Sequence, residues 1–146
     1  MNTDSLLDKV TILAFSELEK VNGNIDALPV SLRTVVVIYS AQGVIDNGGL
    51  EYFFGNDFPD NPPYQIFIDV YREIGANSAA AIFEKSLSYF EMSQPELNLD
   101  MRLKFIESLP DDDSHEFSKL SSSICGDSSV WLLLKQYVQR ECVSEV

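Results

Sequence analysis

"SLRTVVVIYSAQGVIDNGGLEYFFGN", Ser31 to Asn56, is the stretch on which the fold of this chain turns. Its first half carries Val35 to Ile38, a β-branched run that by propensity suits a buried strand as well as a helix. No comparable second strand lies nearby to pair with it, and an apolar segment longer than about ten residues favours a helix. The reading is therefore a buried helix, opened by Pro29. Asn47-Gly48, in the second half, is the dipeptide that tight hairpins prefer, because both residues tolerate positive φ. The flanks do not alternate, however. Leu50, Phe53 and Phe54 recur at helical spacing, and Asn56 beyond Gly55 marks a stop. One helix is expected to end at the glycines and another to begin. Gly48 or Gly49 takes the left-handed conformation, and the Asn47 side chain bonds backbone groups freed by the break. A phosphate cradle would need a Lys and longer glycine spacing, and Asp46 and Glu51 would oppose an anion.

Helical periodicity extends in both directions. Leu6, Leu7, Val10, Leu13, Ala14, Leu18 and Val21 share one face, after Asp4 or Ser5 as cap. Beyond the loop "NDFPDNPP", Ile66, Phe67, Val70, Tyr71 and Ile74 form a stripe ending at Gly75. Asn77 or Ser78 is expected to cap the next helix, with Ala79, Ala80, Phe83, Leu87 and Phe90 buried and Ser93 to Pro95 stopping it. Leu99, Leu103, Ile106 and Leu109 mark a shorter helix that Pro110 ends. In "DDDSHEF" the adjacent aspartates are expected to supply the next cap. Val130, Trp131, Leu134, Tyr137 and Val138 mark the last helix. The expectation is an all-α, single compact domain of six or seven helices spanning 1–146.

Composition limits the function. The chain has 146 residues, 45% hydrophobic, with 23 Asp and Glu against 10 Lys and Arg, for a net charge of -13. Such a charge repels nucleic acid and anionic membrane and attracts basic partners. Because the acids are interleaved with a full set of core residues, a folded scaffold is expected to display them. Asp8, Lys9, Glu17, Glu19 and Lys20 interrupt the first helix, which rules out a signal peptide or membrane span there and predicts a cytoplasmic protein. Cys125 and Cys142 are too few and too far apart for a disulfide framework, and read as free thiols in a reducing compartment.

Enzyme chemistry lacks ingredients. His115 is the one histidine, no nucleophile elbow accompanies it, and it reads as a surface or capping residue. The run Asp111 to Glu116 lacks the ligand order and central Gly of a calcium loop. No catalytic residue, metal site or cofactor is expected.

"VIDNGGLEYFFGN" and "YREIGANSAAAIFEKSLSYF" together resemble a family of small acidic bacterial proteins related to a DNA-mimic protein. The likeness covers roughly Leu32 to Glu107. It rests on Asn47, Gly48, Gly49, Phe53, Phe54, Asn56 and the Ile74-Gly75-Ala76 break, and departs from the pattern at Leu50 and Gly55. The resemblance implies an α-helical fold, no cofactor, and surface carboxylates that imitate DNA phosphates on the DNA-binding face of a transcription regulator. The matching residues are core and joint residues, so they report on the scaffold more than on the site.

A mimic must offer carboxylates without interspersed cations, in the manner of DNA with one charge per roughly 1.7 Å of axis. Between Arg33 and Arg72 there is no Lys or Arg, and the interval holds Asp46, Glu51, Asp57, Asp60 and Asp69. A second such interval, between Lys104 and Lys119, holds Glu107, Asp111, Asp112, Asp113 and Glu116. These form the candidate patch. The expected partner is a basic DNA-binding protein, bound by a monomer or homodimer with no direct nucleic-acid contact. Alternatives are neutralisation of a basic toxin or nuclease, a small metal-dependent hydrolase using the cluster after Pro110, and acidity that serves only solubility.

Overall fold

The run that could have been a strand is the axis of the molecule. In the computed structural model, which describes residues 3–145, helix α2 spans Val30–Phe54. Val35 to Ile38 are all buried within it. A helix that is apolar all round must be surrounded. Five others pack on it: α1 (Thr3–Lys20), α3 (Gln65–Glu73), α5 (Leu99–Glu107), α6 (Glu116–Ile124) and α7 (Ser128–Glu141). Helix α4 (Asn77–Leu87) packs on α3 and α6. The weak helix preference of a β-branched residue costs about 0.5 kcal/mol, whereas burying a Val or Ile side chain gains about 1.5–3 kcal/mol, so burial decides. Short 3-10 turns occupy Ile25–Ala27, Pro95–Leu97 and Val143–Glu145, and no strand occurs among the described residues. The all-α expectation holds, with one hydrophobic core.

Phe53 and Phe54 anchor the aromatic part of that core. Phe53 meets Phe67 edge to face at 5.2 Å and Phe54 meets Phe90 at 5.0 Å. Helix α3 ends as its sequence predicts: Gly75 has φ 85, Ala76 N–H donates to Tyr71 O at 2.8 Å, and Gly75 N–H donates to Arg72 O at 2.9 Å. These bonds satisfy carbonyls that the last turn leaves open.

Several predicted ends are corrected. Helix α1 runs from Thr3, so Asp4 and Ser5 fall within its first turn; their side chains lie outside the described part. Ala76, not Asn77 or Ser78, stands at the cap of α4 and makes no side-chain cap bond. The same helix stops at Leu87, well before Ser93, and Phe90 follows it in a turn. The Ser86 and Ser88 hydroxyls each donate to a carbonyl three residues back, at 2.6 Å, offering the backbone an alternative to the helix ladder. His115, not the aspartates, caps α6: its Nδ1 accepts from Phe117 N–H at 3.0 Å. Asp112 turns the preceding loop by accepting from Ser114 N–H. Both cysteines are free, and burial raises the Cys142 thiol above its ordinary range. No helix among the described residues is long and apolar enough to cross a membrane.

Candidate functional site

At the joint, Gly48 has φ -153 and ψ 16, and Gly49 has φ 74 and ψ -173. Gly49 therefore takes the positive φ expected, with a ψ that only glycine combines with it. Its missing Cβ leaves room for Ser121, and a Cβ on Gly48 would lie 2.6 Å from Tyr52 Cβ. The freed amide of Leu50 is not met by Asn47. It donates at 2.8 Å to Ser121 Oγ on α6, and the Ser121 hydroxyl donates in turn to Glu51 Oε2 at 2.6 Å. Asn56 ends the segment by donating from Nδ2 to Tyr52 O at 2.9 Å.

Arg102 holds the other end of that segment. It is fully buried, the one such residue on α5, whereas Leu99, Leu103, Ile106 and Leu109 are only half-buried. Nε donates to Phe54 O at 2.7 Å, Nη1 to Pro95 O at 2.7 Å, and Nη2 to Asn56 O at 3.2 Å and Asp57 Oδ1 at 2.7 Å. A cation thus sits on the open carbonyls at a helix C-terminus, where the dipole favours it. Its spacing from Leu99 and Ile106 places it on the apolar stripe, which is the signal that sequence reading passed over.

Asp46 is likewise turned inward. Tyr71 OH donates to Gln42 Oε1 at 2.8 Å, and Gln42 Nε2 donates to Asp46 Oδ1 at 2.7 Å. Gly126 N–H reaches the same oxygen at 2.7 Å, while Trp131 Nε1 reaches Oδ2 at 2.8 Å. Burial first, then the charges of Asp46 and Asp127, push the Tyr71 phenol well above its ordinary range. This linked set of satisfied polar groups fixes α7 and the α6–α7 turn on α2.

The predicted acidic residues thereby divide. Asp46, Glu51 and Asp57 are committed to internal donors, and the stretch around Asp57 is cation-free in sequence but not in space. Asp60, Asp69, Glu107, Asp111, Asp112 and Asp113 are exposed. Glu116 is also exposed and accepts from Tyr89 OH at 2.7 Å, a bond that raises the phenol. Hydrogen bonds from Ser114 lower the Asp112 carboxyl.

Concave surfaces bring some of these together. A groove of about 610 Å³ between α1, α2 and the following loop is bordered by Asn47, Asn56, Asp57 and Asp60. Asp60 and Asp26 share an adjoining cleft, and Asp26, Asp69 and Glu73 share the next, with Arg33. Beside the joint, Glu51 and Asp113, one from each interval, line a cleft with Gly48, Gly49 and Ser121. Glu107, Asp111, Asp112 and Glu116 line none of these. Among the described residues, no group of three or more His, Cys, Asp and Glu side chains is placed to hold a metal ion.

A broken central helix, clasped by α5 and α6, defines an all-α scaffold that carries a net charge of -13. Residues 26–141 match the profile of the DMP19-like protein family, and the chain belongs to that family. The family is of DNA-mimic type. No curated protein and no solved structure matches the chain significantly.

Proposed function

We propose that this protein is a cytoplasmic, non-enzymic DNA mimic whose carboxylates occupy the basic, DNA-binding face of a regulator or other DNA-binding protein. One observation carries the reading. Ion pairs take up Glu17, Asp26, Asp57, Glu84 and Glu141. Asp60, Asp69, Glu107, Asp111, Asp112 and Asp113 lie outside these pairs and are exposed. Acids needed only for solubility are usually interspersed with both signs; here 23 Asp and Glu stand against 10 Lys and Arg, for a net charge of -13. Such a field steers basic partners inward and speeds their encounter.

Binding of this kind weakens as the Debye length shrinks from about 10 Å at 0.1 M salt to about 3 Å at 1 M. The test is capture of partners on immobilised protein at low and high salt, followed by competition with duplex DNA. A DNA-binding partner, released by salt and displaced by DNA, is the expected result. Reversing Asp60, Asp69, Asp111 and Asp113 to Lys should abolish the capture. Partners that stay bound in high salt, or that ignore the reversal, sink the reading. A partner that is a basic toxin or nuclease would replace the regulator as target.

A further inference from the structure

Charge alone does not account for the groove beside the joint. Its walls are mainly apolar, with Phe15, Leu18, Val36 and Phe53 among them, and neither Lys nor Arg lines it. Gly43 lines it without a side chain, and a Cβ there would meet nothing within 4 Å. Tyr39 and Tyr52 stand on its edge, 44% and 47% exposed. Asp57 and Asp60 complete the border. Asp57 Oδ1 is held by Arg102, and the Asp57 side chain is 47% exposed.

We infer that this groove is the anchor site of the basic protein partner, taking one aromatic or aliphatic side chain flanked by Arg or Lys. The inference rests on the mimic reading and adds a contact that no polyanion offers. Three features select this occupant over a neutral apolar ligand. Asp60 and Asp26 share an adjoining cleft, and Asp26, Asp69 and Glu73 line the next with Arg33, which pairs with Asp26 at 4.0 Å, so acids outnumber cations beside the groove. Tyr39 and Tyr52 are partly exposed aromatic rings, the kind of surface to which a guanidinium is attracted. A volume of about 610 Å³ exceeds what one side chain fills, leaving room for the stems of neighbouring cations. Interfaces draw most of their affinity from a few aromatic and Arg anchors seated in such pockets, with charge setting the encounter rate. The groove thus gives specificity, and the outlying carboxylates give speed.

The test uses the full chain and synthetic amidated peptides: Arg-Lys-Trp-Lys-Arg, the same peptide with Ala for Trp, and the neutral Gly-Ser-Trp-Ser-Gly. Binding is followed by amide shifts of isotope-labelled protein at low salt. The Trp-centred basic peptide should bind at least tenfold more tightly than its Ala counterpart. It should shift Gly43, Asn47 and Asn56 rather than Gly49 and Ser121. Gly43→Leu, which fills the groove without crowding the backbone, should remove that tenfold advantage while leaving the melting temperature unchanged or raised. Asp60→Lys should weaken both basic peptides.

Equal binding of the Trp and Ala peptides, with no effect of Gly43→Leu, overturns the anchor but leaves the acidic surface standing. If neither basic peptide binds, both readings fall. Tight binding of the neutral peptide would make the groove a site for apolar ligands and overturn the proposal. Groove shifts that appear on concentrating the protein alone would assign it to a second copy, with the same consequence.

Discussion

Arg102 and Asp57, 45 residues apart in sequence, meet at 2.7 Å with the guanidinium fully buried and the carboxylate half exposed. The asymmetry means that the arginine's main partners are carbonyls: those of Phe54, Asn56, Pro95 and Glu96. Removing the cation leaves several buried acceptors unpaired, whereas removing the acid leaves the arginine well satisfied. Arg102→Met should lower unfolding free energy by about 3–5 kcal/mol, and Asp57→Asn by about 1 kcal/mol or less. Urea denaturation checks both, and similar losses for the two variants would contradict this division.

Ser121 has the same kind of role at the other end of the short segment. Ser121→Ala removes the acceptor for a buried amide and should cost about 1–3 kcal/mol. Hydrogen exchange gives the local readout: the Leu50 amide should lose protection more than its neighbours in α2.

Glycines along α2 should respond in opposite directions. Gly49 has φ 74, and a Cβ there would press on Ser121 Oγ and lie 2.6 Å from Glu51 Oε2, so Gly49→Ala should destabilise by about 3 kcal/mol or more. Gly43 is helical and open to space, so Gly43→Ala should stabilise by about 0.5–1 kcal/mol. Thermal melts of the pair test the joint against a plain helix.

Alkaline pH should weaken the fold through its tyrosines. Burial chiefly raises Tyr64 from 10.0 to about 12, and burial likewise raises Tyr71 and Tyr137. A raised folded value means stability fully present below pH 10.0 and lost as pH climbs, because the unfolded chain gives up its protons first. Denaturation midpoints should therefore fall steadily from about pH 10 towards pH 12, and Tyr64→Phe should flatten that fall. For Asp112 the sign reverses: its lowered value means stability present above the ordinary carboxyl range and lost as pH drops through the depressed one.

Much of the architecture was legible because it rests on local periodicity. Val35 to Ile38 belong to a helix since length and the lack of a pairing partner outweigh propensity, and the break at Gly48 and Gly49 follows from spacing on both flanks. What escaped was non-local. Nothing near Leu50 announces that Ser121 will receive its amide, and Asn47 was the nearest polar candidate. Arg102 reads as one more surface cation unless its position on an apolar stripe is taken seriously. The acidic intervals were correct as sequence, but a run without cations is not a region without donors: Arg102 meets Asp57 from 45 residues away, and Trp131 meets Asp46 from 85.

The distance between Leu50 and Ser121, 71 residues along the chain, bears on how the molecule is made. A ribosome delivers the bend long before its hydroxyl acceptor, so the emerging amino-terminal half holds an unclasped hinge. Fragments ending before α6 should exchange amide protons freely at Leu50, with the bend acquiring its final angle only as the segment from Glu116 onward docks.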